Sequence, residues 1–100
     1  MKHQNMPWFI YIILCSDNSL YTGISTDPKR RFKEHKNTKG AKYFYGRSPL
    51  KIVHIETQPD RSLASKREAA IKKLTTKKKH ILIKSNENQL KDWPDYFKLD

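Results

Sequence analysis

"YIILCSDNSLYTGISTDPKRRFKEH", residues 11–35, is the stretch that decides the fold. Two runs rich in Ile, Tyr and Thr, residues 8–14 and 19–25, flank "SDN", a turn composition, and predict a β-hairpin. A helix start follows: Asp27 can cap free amides and Pro28 suits the first helical position, which predicts a helix over 28–36 with Phe32 facing inward.

Hairpin geometry sets a condition on Tyr11 and Tyr21. Antiparallel partners have a constant residue sum and side chains alternate between faces, so the two phenols share a face only if the turn holds an odd number of residues. A turn centred on Asp17 pairs Tyr11 with Gly23 and leaves Tyr21 a diagonal neighbour, about 7–8 Å away. Gly23, lacking a side chain, would then leave room for a substrate beside Tyr11. A two-residue turn at Asp17-Asn18 would send the tyrosines to opposite faces unless a bulge intervened.

Further along, "NTKGAKYFYGRSP" at 37–49 has two Gly, a Pro and three adjacent aromatics and reads as a loop. Residues 50–57, "LKIVHIET", predict a third strand. "PDRS" then opens a helix whose apolar positions Leu63, Ala70, Ile71 and Leu74 share a face. Thr75 and Thr76 interrupt it and can cap another helix to about Lys84, although "HILIK" could also extend as an edge strand. The tail from Ser85 is locally acidic, and its Trp93, Pro94, Tyr96 and Phe97 are expected to dock on the body. One hundred residues suit a single domain over 1–100, with a core over about 8–84.

Twenty-one Lys and Arg against ten Asp and Glu give a formal charge of +11. The excess is concentrated: Lys29 to Lys51 holds nine basic residues and one acid, Glu34, and Lys66 to Lys84 holds eight and one acid, Glu68. Such a field attracts polyanions, which makes nucleic acid the leading partner over a surface tuned only for solubility. A membrane surface is disfavoured because the basic segments lack a Trp- and Phe-rich apolar face, and "WFIYIILC" is too short to span a bilayer. Cys15, the only cysteine, permits no internal disulfide and suits a small buried hydrophobe in a reducing cytoplasm.

"FIY" at Phe9 to Tyr11, "YTG" at Tyr21 to Gly23, "RRFKEH" at Arg30 to His35 and "ASKREAAIKKL" at Ala64 to Leu74 resemble, in that order, the motifs of the GIY-YIG nuclease superfamily. The likeness covers most of residues 8–84 and is closest to the small stand-alone bacterial members, which carry a loop like "GAKYFYGRSPLKIVHIE". Phe9 stands where the signature has its first Gly, and no residue is assigned to the polar position, often Asn, that many members carry after the glutamate. The resemblance implies an α/β (α+β) fold of order β-β-α-β-α-α. In it a three-stranded antiparallel sheet is flanked by about three helices. It also implies a Mg²⁺- or Mn²⁺-dependent cut in a nucleic-acid phosphodiester, with DNA ahead of RNA, leaving a 5′-phosphate and a 3′-hydroxyl. By match to the motifs, Tyr11 and Tyr21 are the signature tyrosines, Arg31 and His35 the helix pair, and Glu68 the metal-binding glutamate.

The residue chemistry is compatible with these roles. Arg31 and His35, spaced i, i+4, share a helical face and could converge on one phosphate. The planar, permanently charged guanidinium of Arg31 suits the charge that grows in the transition state. One carboxylate with phosphate oxygens and water makes a plausible octahedral shell for Mg²⁺, whereas Glu68 could instead simply pair with Lys72 at i+4. Scattered acids disfavour a two-metal site, and one Cys with four spaced His disfavours zinc. A free phenol, with pKa about 10, is a poor base near neutrality. Tyr11, Tyr21 and His35 therefore stay open as candidates for the general base. Lys42, Tyr43, Tyr45 and Arg47 in the loop, with Lys72 on the second helix, are candidates to grip the strand; the alternative for the loop residues is an aromatic cluster that closes the loop. The rivals to an endonuclease are a non-catalytic nucleic-acid-binding module on the same fold and a basic protein that docks an acidic partner. Any sequence specificity must come from loops, a dimer or a protein partner.

Overall fold

The computed structural model describes residues 7–37, 44 and 46–94. Strand β1 (Trp8–Cys15) runs antiparallel to β2 (Leu20–Ser25) on one side and to β3 (Pro49–Gln58) on the other, giving the order β2-β1-β3. Helix α1 (Pro28–Lys36) lies between β2 and β3 in the chain; α2 (Arg61–Lys72), α3 (Thr76–Ile83) and a short 3-10 turn (Leu90–Asp92) follow β3. The architecture is the three-stranded antiparallel sheet with three helices that the motifs implied, and "HILI" ends α3 as helix, with Lys84 its C-cap.

β1 is central, so its near-continuous apolar run is buried on both faces. Phe9, Tyr11, Ile13 and Cys15 join Phe32 of α1 and Phe44 in one cluster, against which Leu90 and Trp93 also pack. Ile10 and Ile12 join Ala64 and Ile71 of α2 and Leu82 of α3 in the other. Each helix starts where a short polar side chain can satisfy free amides: Asp27 accepts from Arg30 N at 3.3 Å, Asp60 from Leu63 N at 2.9 Å and Thr75 from Lys78 N at 3.1 Å. Trp93 docks the tail by packing edge-on against Phe9 at 5.2 Å; Tyr96 and Phe97 lie outside the described residues.

Of the apolar face expected for α2, Ile71 is buried and Leu74, just past its end, packs on the core, but Leu63 and Ala70 do not. Leu63 is 41% exposed and Ala70 is also exposed, while Ala64 and Ile71, about 100° round the helix, are sealed against the sheet. Between these two, the inward stripe carries Arg67 and Glu68, which an apolar reading passes over. Arg67 makes a two-pronged pair with buried Glu56 of β3 (2.7 and 3.0 Å), and Glu56 also meets His54 Nε2 at 2.8 Å. A bulge in β3 between the partners of Ile12 and Ile13 breaks strict alternation there. It turns Ile52 and Ile55 to the α1 face, and His54 and Glu56, opposite Ile12 and Ile10, to the α2 face.

The outer edge of β3 is closed by Asn88. Its Oδ1 accepts from Ile55 N (3.1 Å) and Leu90 N (3.0 Å), and its Nδ2 donates to Val53 O (2.9 Å) and Ile83 O (2.8 Å). An asparagine thereby occupies backbone groups that would otherwise template further strand pairing. Among the described residues no helix is long and apolar enough to cross a membrane.

Candidate active site

The loop between β1 and β2 has three residues, Ser16 to Asn18. Cys15 N donates to Ser19 O at 3.0 Å, Asn18 N donates to Cys15 O at 2.9 Å, and Asn18 has φ 68°. Three-residue hairpin loops need a left-handed residue at this last place, and Asn tolerates it. The register therefore sets Tyr11 opposite Gly23 and Tyr21 opposite Ile13. Both phenols fall on the α1 face, as diagonal neighbours with ring centroids 6.3 Å apart.

Gly23 serves a different purpose from the one its size suggested. The space beside it is filled by Tyr11 itself: a Cβ at Gly23 would stand 2.6 Å from Tyr11 Oη and 2.8 Å from its Cζ. The glycine lets the phenol lie across the neighbouring strand and leaves no vacancy for substrate there.

α1 brings Arg31 and His35 to the same face, but at different depths. Arg31 is partly exposed and paired with Glu34, one turn on. His35 is 1% exposed, with Nε2 3.4 Å from Tyr11 Oη and its ring packed on Tyr21 (5.2 Å) and Phe44 (4.4 Å). Only Arg31 is open to a phosphate; His35 meets Tyr11 instead, so the expected convergence of both side chains on one phosphate is not how the free protein is arranged.

Burial governs the protonation states. It lowers His35, with help from the Arg31 charge, to about 4, so the imidazole is neutral at pH 7. Burial also raises Tyr11, the neighbouring Tyr21 adds to this, and Arg31 opposes it without prevailing. Tyr21 is raised by burial against the opposing charges of Lys72 and Arg31. Both hydroxyls therefore keep their protons at neutral pH.

Glu68 comes from the helix on the other face. α2 packs beside edge strand β2, so a side chain on its inward stripe can approach the hairpin from the open edge. Its charge acts on both phenols, in each case holding the proton on. Its carboxylate pairs with Lys72 Nζ at 3.3 Å. Among the described residues no three His, Cys, Asp or Glu gather into a metal cage. Glu68 supplies one partly exposed carboxylate, which fits a hard divalent cation that keeps most of its water and takes phosphate oxygens from a substrate.

Of the loop residues proposed to grip a strand, Lys42, Tyr43 and Tyr45 lie outside the described residues. Arg47 sits at the hairpin turn, 3.4 Å from Asp17 Oδ2 and 3.2 Å from Ser19 Oγ, where it ties the loop to the turn. Sequence reasoning missed Glu34 as the partner of Arg31 and Phe44 as the wall behind Tyr21 and His35, at 4.8 and 4.4 Å. The i, i+3 spacing within α1 could have found Glu34; one aromatic among three in a loop gave no such signal.

A family model described as the GIY-YIG catalytic domain matches residues 7–81. The chain is 51% identical over 81 residues to a UPF0213 protein of Desulfotalea psychrophila, covering 80% of this chain and 74% of that one. It is 46% identical over 77 residues to the UPF0213 protein YhbQ of Escherichia coli, covering 77% of each. Among solved structures, the solution structure of a UPF0213 protein from Bacillus halodurans superposes with a TM-score of 0.53 at 39% identity, covering 82% of this chain and 87% of the other.

Proposed function

The chain belongs to the GIY-YIG catalytic-domain family, and from that premise we propose that it is a metal-dependent endonuclease that hydrolyses a nucleic-acid phosphodiester, with DNA the first substrate to test. The observation that carries the reading is the gathering of Tyr11, Tyr21, Arg31 and His35 on one face of the hairpin, with Glu68 approaching from its edge.

Each residue has work it can do from its place. Arg31, the open cation, binds the scissile phosphate by exchanging Glu34 for a phosphate oxygen, and its planar fork then meets the charge that builds on the equatorial oxygens. Tyr21, half-buried beside it, orients the attacking water. Tyr11 and His35 form the floor: as Tyr11 Oη takes the water's proton, its own proton passes to His35 Nε2, the neutral acceptor next to it. An imidazolium is disfavoured beside Arg31 in the free protein, and a bound phosphodiester offsets that positive charge and raises the basicity of His35 when it is needed. Glu68 would hold the divalent cation, Mg²⁺ or Mn²⁺, which when bound polarises a phosphoryl oxygen. The products expected are a 5′-phosphate and a 3′-hydroxyl.

The test is cleavage of labelled single-stranded, double-stranded and branched DNA and of RNA, with Mg²⁺, Mn²⁺ or chelator. Metal-dependent cutting should disappear in Glu68→Ala with binding retained, and should fall about 10²–10³-fold in Arg31→Ala, the size of losing one preorganised charge-stabilising donor. Arg31→Ala also controls for a contaminating nuclease. Salt-sensitive binding with no cutting on any substrate or metal would instead make this fold a binding module.

A further inference from the structure

Beside the candidate site, on the flank of β2, lies a cavity of about 250 Å³ lined by Leu20, Tyr21, Thr22, Lys72 and Lys79. It shares Tyr21 with the site, so it begins where the site ends. Two lysines and no acidic residue line it. Three features set it apart from a merely basic surface. Of the successive lysines 77, 78 and 79 on α3, the first two are exposed and only Lys79 is half-buried, turned to the cavity wall. Lys72 uses one of its three donors on Glu68 and keeps two. Thr22 is 3% exposed, and its Oγ1 has no hydrogen-bond partner among the described residues. A buried hydroxyl left unpaired costs free energy, and its place beside two lysines in this wall favours a ligand that brings hydrogen-bond acceptors.

We propose that this cavity is an anion subsite, built by Lys72, Lys79 and Thr22, which takes a backbone phosphate neighbouring the one held at Arg31 and so fixes the path of the bound strand along β2 toward α3. The proposal rests on reading the site as one that acts on a phosphodiester. Its chemistry is recognition of a phosphate by two ammonium groups and a hydroxyl, without contact to bases, and so it sets strand direction and register and leaves sequence unread. Lys79 and Thr22 are thereby assigned a role in binding that neither the motif match nor the charge pattern gave them.

The experiment measures binding of a fluorescein-labelled oligonucleotide by anisotropy, in chelator so that nothing is cut, across a salt series. Lys79→Met keeps the apolar stem and removes the ammonium; Lys78→Met, one residue away on the exposed side, changes net charge equally. For Lys79→Met the slope of log affinity against log salt should shrink by about 0.7–0.9, one phosphate contact, so that raising salt from about 50 to 200 mM costs the variant roughly threefold less affinity than the wild type. Lys78→Met should leave the slope within error. In amide NMR, the Thr22 resonance should shift on adding a thymidine trinucleotide to wild type and stay still in Lys79→Met. Equal slopes for the two lysine variants, or a Thr22 resonance indifferent to the trinucleotide, would overturn the subsite. Should Lys79→Met fail to fold, Lys79→Gln is read in its place. Failure of the underlying reading looks different: the wild type then binds with the predicted lysine asymmetry and cuts nothing. A subsite that fails alone leaves metal-dependent cutting intact and binding blind to Lys79.

Discussion

Gly23→Ala separates the geometry of the site from the stability of the fold. The backbone of Gly23 lies in β2, without the positive φ that would exclude alanine, so the methyl group itself is the perturbation. It would meet Tyr11 Oη at 2.6 Å and Cζ at 2.8 Å, where ordinary contact begins at 3.4 Å, and the phenol must therefore retreat by roughly 0.8 Å. Tyr11 is 1% exposed and its hydroxyl abuts His35, so the retreat displaces packed neighbours at the usual overpacking cost of about 1–3 kcal/mol. Alanine returns about 0.5–1 kcal/mol through a less free unfolded chain. The net loss is about 0–2.5 kcal/mol, or ~4–8 °C in Tm for each kcal/mol in a domain of this size. Cleavage should suffer more, because a reacting group misplaced by about 1 Å loses on the order of 10²-fold. Thermal melts by circular dichroism read the first effect and initial cleavage rates well below Tm read the second. Adding Tyr11→Phe to Gly23→Ala removes the closest clashing atom, and should recover part of the Tm and none of the activity. A Gly23→Ala protein that melts with wild type and cuts within twofold of it would refute the placement of Tyr11 over the glycine.

His35 makes stability depend on pH in a definite window. Its folded pKa of about 4 lies below the ordinary 6.5, so the unfolded chain binds the proton first: the stabilisation is complete above pH 6.5 and is lost as pH falls toward 4. A shift of this size corresponds to about 3 kcal/mol, so urea unfolding at pH 7.5 and 4.5 should differ by that order, and His35→Gln should flatten the difference. Glu56 acts lower on the scale. Burial pushes its carboxyl up, but hydrogen bonds from His54 and Arg67 outweigh this and hold it below the ordinary 4.5. Its contribution is present above that value and is lost as pH falls through the depressed one. Arg67→Met, which strands the buried carboxylate, should cost about 3–5 kcal/mol at pH 7 in chemical denaturation, whereas Glu56→Gln with Arg67→Met should cost less than Arg67→Met alone.

The two halves of the site differ in how plainly they stand in the sequence, and the difference is physical. The hairpin is local: once the turn is centred on Asp17, partner sums fix Tyr11 against Gly23, and only the conformation of Asn18 is needed to choose this turn over a two-residue one. The helix that follows is equally local, since Asp27 and Pro28 mark its start and a four-residue step sets Arg31 and His35 on one face. Depth is not local. Periodicity puts those two side chains together, but Phe44 and the phenols close over His35 and leave Arg31 in the open. That difference sets His35 behind Tyr11 and leaves Arg31 alone of the two in the open.

α2 carries the harder lesson. Its inward stripe is Ala64, Arg67, Glu68 and Ile71, half of it charged, so apolar periodicity finds Ile71 but adds Leu63 and Ala70, about 100° away, which face water. The charges are inside for two reasons. Arg67 has a buried carboxylate to meet on β3, a fact visible only after the bulge turns Glu56 to that face. Glu68 follows it round the helix toward the edge strand, where its charge reaches both phenols. The Arg67–Glu56 pair thus joins buried Ala64 and Ile71 in setting the rotation of α2 about its own axis. A helix free to roll by one residue would exchange Glu68 for Ala69 at the edge of β2 and take its carboxylate away from the tyrosines. On this argument the ion pair costs the fold some desolvation and returns it as the placement of Glu68. The Glu56→Gln, Arg67→Met double variant should accordingly stay folded and bind nucleic acid, while losing metal-dependent cutting as completely as Glu68→Ala.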